Sequence, residues 1–270
     1  MENNSVSGSL FKELLAMIYS HFKIENPLNF SHFSKGVSFY TQYIFLHDKI
    51  VDQEIDFIKE GRGEEDSTLF LCHQFHQKAI ISLLQVFPQD HQFWEVLESK
   101  EKDYFNGLSK EKFLSIRKTE ITLADFETLA ISKHILSVVP ISGMFYLGAT
   151  QLEYSKIEKI FSLLFCGIQM LDDLDDFAKD LELGQWNYIQ NEVRSIIISE
   201  GLIDDKSIDD LEMKVLYAGN VAEFALDYSI SKFTEASQLA LSSEIMEVYH
   251  WLENMIKESK DQKQYILTLI

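Results

Sequence analysis

The chain has 270 residues, of which 46% are hydrophobic and 25% charged, so it is long enough to bury a sizeable core. Its formal net charge of −19 disfavours a protein that grips nucleic acid or an anionic membrane surface, since both need clusters of Lys and Arg. The two cysteines, Cys72 and Cys166, form neither a disulfide framework nor a zinc pattern. The N-terminus has no basic start followed by an apolar core, so we expect no signal peptide and a cytoplasmic protein.

Helical spacing of apolar residues runs along the whole chain, and three prolines and eleven glycines leave room for long helices. The first three predicted helices cover 10–22, 30–58 and 69–87. Later helix starts are predicted at Ser109, at Thr122 and Ser155 (each with a capping-box pattern), and near Asp205 for a helix that ends at about Leu239. The last predicted helix covers 242–259. No segment alternates with a period of two, so we expect no sheet and one all-α domain over residues 1–270, with about ten helices.

The longest apolar stretch, ILSVVPISGMFYLGA, has about 15 residues and contains Pro140. A helix that spans a bilayer needs about 20 apolar residues. The sequence therefore predicts no integral membrane segment.

Acidic residues crowd the end of one apolar helix. Asp172, Asp176 and Asp180 stand at i, i+4 and i+8, on one face of a helix, with Asp173 beside them. Like charges at this spacing repel by about 0.2–0.5 kcal/mol per pair, so a compensating cation would stabilise the row. Asp175 falls on another side of the helix and is expected to be an ordinary solvated charge.

A second acidic row occurs upstream, where Asp48, Asp52 and Asp56 again stand at i, i+4 and i+8 after an apolar run. A single D-x-x-x-D pattern is more often a solvated helix face than a metal site. Two such rows, each at the end of an apolar helix, favour metal binding. If the two helices faced each other, their carboxylates could hold Mg²⁺ ions that bridge to a diphosphate.

The segment QMLDDLDDFAKDLELGQWNYI, from Gln169 to Ile189, resembles the second aspartate-rich motif of class I isoprenoid synthases. Its D-x-x-x-D-x-x-x-G spacing is similar to squalene and phytoene synthases, and its Q-x-x-D-D-x-x-D spacing is similar to trans-prenyltransferases. The segment HDKIVD, from His47 to Asp52, resembles the first motif, with Lys49 where elongating prenyltransferases carry a second Asp. The segment from Asp125 to Ala149 is similar to the family's helix that carries a diphosphate-binding Lys, here Lys133.

The resemblance implies the isoprenoid synthase fold, a bundle of helices around a central cavity, and a Mg²⁺-dependent enzyme with three ions per active site. The implied activity is that of a class I terpene synthase, a lyase that ionises an allylic prenyl diphosphate (C15–C25) and cyclises the carbocation. A homodimer is compatible with the family. The expected metal ligands are Asp48, Asp52, Asp172, Asp173, Asp176 and Asp180, of which Asp48, Asp52, Asp172 and Asp176 are also catalytic together with Lys133. Diphosphate binding is expected from Lys133, Arg117, Lys118 and Gln185, and a cavity lining from Tyr40, Thr41, Ile44, Phe165, Ile168 and Gln169.

Departures from the family pattern favour a cyclase that uses one substrate. No Arg-rich N-terminal motif for a second, homoallylic diphosphate is present, and Gln185 replaces the Arg that usually follows the Gly in squalene and phytoene synthases. Two alternatives stay open. One is a prenyltransferase or a head-to-head synthase with a linear product, and the other is a non-catalytic helical partner subunit.

Overall fold

A computed structural model describes residues 6–51, 67–202 and 210–268, with side chains described from residue 13 onward. The long elements of this part of the chain are all helices, which confirms the predicted all-α class. Helix content by itself does not distinguish the isoprenoid synthase fold from other all-α folds.

A 3₁₀ turn at Ile135–Ser137 joins the fifth described helix to the sixth. One pair of two-residue strands, β1 (Lys23–Ile24) and β2 (Gly148–Ala149), runs antiparallel, where the sequence predicted no sheet. The helices are α1 (Val6–Tyr19), α2 (Pro27–Val51), α3 (Thr68–Leu84), α4 (Phe93–Arg117), α5 (Leu123–His134), α6 (Val138–Leu147), α7 (Tyr154–Asp175), α8 (Phe177–Leu183), α9 (Tyr188–Ser199), α10 (Leu211–Ala218), α11 (Val221–Ser242) and α12 (Met246–Leu267).

The two predicted capping boxes have opposite outcomes. Thr122 caps α5 as predicted, since its hydroxyl accepts from the Asp125 N–H at 3.1 Å and the Asp125 carboxylate accepts from the Thr122 N–H. The box at Ser155 is wrong, because Glu153 is the N-cap of α7 and makes no side-chain cap bond. A capping-box sequence caps a helix only when its first residue is the non-helical residue directly before the first turn.

Two other boundaries also differ from prediction. Ser109 lies inside the long helix α4 and does not start a helix. The helix predicted from about Asp205 to Leu239 is divided into α10 and α11, because the backbone leaves the helical conformation at Gly219 and Asn220, where Asn220 has φ of +61°. Asn adopts this left-handed conformation more readily than most residues.

The chain divides into two compact units. The first unit comprises residues 1–99 and 137–151, and the second comprises 100–136 and 152–270. The single domain over 1–270 stays a prediction.

The core of the first unit forms where α2 packs along α3 and against α6. Gly36 on α2 permits the close approach to α3, since an added Cβ would lie 2.8 Å from Leu83 Cγ. Three buried rings fill the adjoining space: Phe87 stacks on Phe93 at 4.2 Å and meets Phe33 edge-on at 6.0 Å. Aromatic rings pack well in both arrangements.

The core of the second unit is built around α7, which packs against α11 and α5, while α11 packs against α12. Gly167 on α7 lies under the fully buried ring of Phe233, so that an added Cβ would lie 2.4 Å from Phe233 Cε1. Ser229 on α11 donates to the Gly167 carbonyl at 3.1 Å. These contacts fix the position of α7, which carries the second acidic row at its end.

The stretch Leu123–Leu147 is, within the described residues, the one helical stretch long and apolar enough to cross a membrane by length and composition. Of its most apolar window, 67% is buried, and a buried core helix passes the same test.

Replacing Gly167 by Ala should destabilise the protein by about 1–3 kcal/mol, because the new methyl group overlaps the Phe233 ring in a filled core. Phe233→Leu in the same chain should recover part of this loss, which a double-mutant cycle measured by urea unfolding would detect.

The matched control is Ser155→Ala, also on α7. Because Ser155 is exposed and does not cap the helix, we expect a change within about 0.5 kcal/mol. A loss near 1 kcal/mol would show that Ser155 caps α7 after all.

Candidate functional site

The second acidic row lies across a break between α7 and α8. We call Asp172, Asp173, Asp176 and Asp180 the acidic edge. α7 ends at Asp175, and Asp176 has φ of −87° and ψ of 2° before α8 begins at Phe177. Hydrogen bonds of helical spacing still cross the break, from Asp176 N–H to the Asp172 carbonyl at 2.9 Å and from Asp180 N–H to the Asp176 carbonyl at 2.8 Å. The four residues therefore stay close to helical spacing although the helix is interrupted at Asp176.

Burial along the acidic edge is uneven. Asp173 is buried, Asp172 and Asp180 are half-buried, and Asp176 is exposed. The exposed Asp175, predicted to be an ordinary charge, accepts a hydrogen bond from Gln262 on α12 at 3.0 Å.

Burial raises the pKa of three of these carboxyl groups. It raises the pKa of Asp173 to about 7 and the pKa values of Asp172 and Asp180 to about 6. The negative charge of Asp176 raises the pKa values of Asp172 and Asp180 further. The acidic edge thus holds more negative charge than its protein surroundings compensate, so a cation bound there would favour the ionised carboxylates.

Lys133, the last-turn residue of α5 that the resemblance selects, lies in this cluster. Its charge lowers the pKa of Asp172, Asp173 and Asp180, which places the ammonium group within electrostatic reach of all three. It also faces Glu111 on α4, with 3.8 Å between Nζ and Oε1. Neither side chain of this pair is fully buried, so the ion pair itself adds little stability.

Asp173 belongs to a buried chain of hydrogen bonds. The Gln169 amide, one helical turn earlier on α7, donates from Nε2 to Asp173 Oδ1 at 2.7 Å. Gln169 Oε1 lies 3.1 Å from Nε2 of His134, the last residue of α5. Gln169 was predicted as a cavity residue, whereas His134 was not singled out from the sequence.

Asn187 supports the other end of the acidic edge and was also missed. Its Nδ2 donates to Asp180 Oδ2 at 2.9 Å, while its Oδ1 accepts from Gln190 N–H and so caps α9. An Asn before an amphipathic helix is a visible capping signal. The bond from Asn187 to Asp180 is not visible in the sequence, because it depends on how residues 184–187 fold back toward α8.

That loop is held in place from both sides. Gln185 N–H donates to the Asp180 carbonyl at 2.9 Å, after Gly184 has ended α8 in the left-handed conformation. The indole of Trp186 donates to the Thr119 carbonyl at 2.9 Å, just after α4. The loop therefore brings the backbone of Gln185 against the end of the acidic edge, and the role of its side chain in diphosphate binding stays a prediction.

The remaining predicted basic residues, Arg117 and Lys118, lie at the end of α4 and are exposed. The Arg117 guanidinium stands 5.8 Å from the centre of the Phe113 ring, and Lys118 has φ of +48°. The next residue, Thr119, accepts the hydrogen bond from Trp186, so both basic residues lie close in sequence to the contact that holds the Trp186 loop.

A cavity of about 30 Å³ lies beside Asp173 in the second unit. One wall is polar, with Lys133, Gln169 and Asp173, and another is aromatic. This volume suits one or two water molecules rather than an isoprenoid chain. The lining residues are Glu111, Leu114, Ile121, Phe126, Leu129, Ala130, Lys133, Gln169, Asp173, Trp186, Asn187 and Tyr188.

The other predicted cavity residues of the second unit lie in its core. Phe165 and Ile168 are both buried, and the Phe165 ring packs 5.3 Å from the His134 ring and 6.1 Å from Phe161. Phe165 thus holds the histidine in place.

The first unit contains the other predicted site residues. Asp48 is half-buried near the end of α2, whereas Asp52 lies outside the described residues. Thr41 lines a groove of about 660 Å³ between α1 and α2, whose described lining carries no charged side chain. Tyr40 is buried against Tyr43, with 5.7 Å between ring centres, and Ile44 is half-buried.

Within the described residues, no three His, Cys, Asp or Glu side chains converge to hold one metal ion. Mg²⁺ does not require such a cage, because it commonly binds one or two carboxylates and completes its coordination with water and substrate phosphates. The oxygen donors of the acidic edge and their raised pKa values fit that kind of ion.

No family model, no curated protein and no solved structure matches this chain.

Asp173→Asn should make the metal-free protein more stable than the wild type at pH 8, with the difference closing as the pH falls. The folded pKa of Asp173, about 7, lies above its ordinary value of 3.8, so the folded state binds more protons between these values. Wild-type stability therefore decreases as the pH rises from about 4 to 7, and Asn removes this loss. Thermal unfolding of both proteins at a series of pH values measures this difference in stability.

Asp125→Asn provides a control of opposite sign. The hydrogen bond and charge of Lys110 hold the pKa of Asp125 down at about 2, so its contribution is present at neutral pH and is lost as the pH falls from about 4 to 2. The Asn variant should be the less stable protein at pH 7. Parallel pH curves for wild type and Asp173→Asn would contradict the burial of an ionisable Asp173.

Proposed function

We propose that this chain is a class I terpene synthase, a Mg²⁺-dependent lyase that ionises a C15–C25 allylic prenyl diphosphate and cyclises the resulting carbocation. The observation that carries the proposal is the cavity at the end of α7 that Lys133 and Asp173 line together, where the charge of Lys133 lowers the pKa of Asp172, Asp173 and Asp180. Anionic groups for metal ions and one ammonium group for an anion are the two kinds of charge that a metal–diphosphate complex requires.

In the proposed reaction, Asp172, Asp173, Asp176 and Asp180 bind Mg²⁺ from the second unit. Asp48 and Asp52 are proposed as further ligands. Bound Mg²⁺ would neutralise the charge that develops on the diphosphate leaving group. Lys133 would donate to diphosphate oxygens that the metal leaves free, with Arg117, Lys118 and Gln185 as further donors.

The charge balance around the acidic edge supports this assignment. A site whose carboxyl groups have raised pKa values attracts a divalent cation and releases protons when it binds. In the absence of metal, Lys133 supplies positive charge to Asp172, Asp173 and Asp180, and Lys179 supplies further positive charge to Asp180. The 3.8 Å pairing of Lys133 with Glu111 is long enough to be exchanged for a diphosphate oxygen.

The deciding experiment incubates the full chain with farnesyl, geranylgeranyl or geranylfarnesyl diphosphate, with Mg²⁺ or with EDTA, followed by mass spectrometry of the products. We expect cyclic hydrocarbons or alcohols from one of these substrates alone, and none with EDTA. An absolute need for isopentenyl diphosphate would instead establish chain elongation. Absence of both turnover and Mg²⁺-dependent diphosphate binding would leave the non-catalytic partner subunit.

Asp172→Asn should lower kcat/KM by at least about 100-fold, because it removes one negative charge from the metal-binding edge. The matched control is Asp175→Asn, three residues along the same helix end. Asn can still accept from Gln262, so its kcat/KM should stay within about threefold of wild type. Equal losses in the two variants would mean that the total negative charge matters and not the ligand position.

Lys133→Gln should weaken the binding of inorganic diphosphate in the presence of Mg²⁺ by about 10- to 100-fold, since a hydrogen bond to a charged group contributes about 1.5–3 kcal/mol. Isothermal titration calorimetry measures this binding directly. Lys156→Gln, an exposed residue at the start of α7 that pairs with Glu153, should change it by less than twofold. Unchanged binding in Lys133→Gln would remove Lys133 from the site.

A further inference from the structure

His134 ends α5 with its imidazole buried, where it contacts α7 through a side-chain amide. Its Nε2 lies 3.1 Å from Gln169 Oε1, and Gln169 Nε2 lies 2.7 Å from Asp173 Oδ1. All three side chains are only 8% exposed. The histidine is therefore connected to a candidate metal ligand by one buried amide.

The chain of hydrogen bonds has a direction. The Gln169 NH₂ group donates to the Asp173 carboxylate, so its carbonyl oxygen faces His134, and a carbonyl oxygen can only accept. His134 must then donate from Nε2. Burial keeps the ring neutral, since it lowers the pKa of His134 to about 3 and the nearby charge of Lys133 lowers that pKa further, so the single ring proton resides on Nε2.

The direction matters because the end of a glutamine side chain turns easily. The last torsion of Gln is broad and roughly two-fold, so the amide can present either its oxygen or its nitrogen to Asp173. With the oxygen toward Asp173, two acceptors would face each other inside the protein. The Nε2–H donor of His134 selects the orientation that places the nitrogen toward Asp173.

The ring that makes this selection is itself fixed. Its plane packs against Phe165 with 5.3 Å between ring centres, and its backbone ends a helix that packs on α7. The donor thus has one position relative to Gln169.

We propose that His134 is a positioning residue that holds the Asp173 carboxylate in place through the Gln169 amide. The proposal rests on the proposed function, in which Asp173 binds Mg²⁺. His134 would touch neither substrate nor metal, and partners of metal ligands typically contribute 10- to 100-fold to metal affinity or activity.

A readout in the metal-free protein tests the positioning itself. In ¹⁵N-labelled protein, the Gln169 side-chain amide signals, assigned by their loss in Gln169→Met, should show slow hydrogen exchange. His134→Phe keeps a ring against Phe165 but removes the donor, so the exchange should accelerate by at least about tenfold. Exchange as slow as in wild type would overturn the proposal.

A second readout concerns binding of Mg²⁺ with inorganic diphosphate, measured by calorimetry. His134→Phe should weaken it by about 10- to 100-fold, and His134→Gln, whose amide supplies a donor near the Nε2 position, should recover most of the affinity. In a Gln169→Met background, His134→Phe should have no further effect, because the connection is already cut. Additive losses would overturn the proposal.

Ser229→Ala serves as the matched control, since it removes a buried hydrogen bond to α7 at Gly167 without contacting Gln169. Its diphosphate affinity should stay within about threefold of wild type, because the Gly167–Phe233 packing still holds α7 against α11. If His134→Phe does not fold, His134→Asn, whose amide reaches only the Nδ1 position, takes its place in both measurements. A wild-type protein that binds no diphosphate would refute the proposed function, while the amide exchange still decides the role of His134.

Discussion

The burial of negative charge at the end of α7 is the constraint on which the second unit depends. Moving a carboxylate out of water is unfavourable unless hydrogen bonds or opposite charges compensate. Here each compensating group comes from a different part of the chain: the Gln169 amide from α7 itself, the Asn187 amide from the loop before α9, and the Lys133 charge from α5. Compensation stays incomplete, as the raised pKa values of Asp172, Asp173 and Asp180 indicate. A protein that retains such a cluster sacrifices stability at that position, which is typical of functional sites.

The packing of α7 explains how the fold tolerates this charge. Gly167 and the ring of Phe233 bring α7 and α11 close together, and Ser229 ties the same two helices through a backbone carbonyl. The buried, apolar part of α7 lies before its acidic end, and hydrogen bonds of helical spacing continue across the break at Asp176 into α8. Close packing before the break therefore fixes where the incompletely compensated carboxylates after it lie.

Where the sequence predictions failed, the local pattern competed with a tertiary contact or a backbone conformation. Ser155 begins a capping-box pattern, yet the N-cap of α7 is Glu153, two residues earlier. Ser109 resembles a helix start, but α4 continues through it. Asn220 leaves the helical region and divides a run whose apolar spacing predicted one helix. His134 was missed because its partner Gln169 lies 35 residues away in the chain. Asn187 was missed although Asp180 is only seven residues earlier, because their contact depends on how the loop after Gly184 turns back toward α8.

The choice of Lys133 as the cation of the acidic edge came from the family resemblance and stays a prediction. By itself, the sequence determined the all-α class, the capping box at Thr122 and the composition of the acidic edge. These follow from local periodicity and residue chemistry, or from motif spacing, and all are readable along one segment. Only the tertiary structure decided that Asp173 is the deepest carboxylate and Asp176 an exposed one, since depth depends on which helices cover α7. It also decided that Phe165 and Ile168 pack in the core and that the space beside Asp173 is water-sized. Burial and cavity volume arise from contacts between segments distant in sequence, and no spacing rule within one helix encodes them.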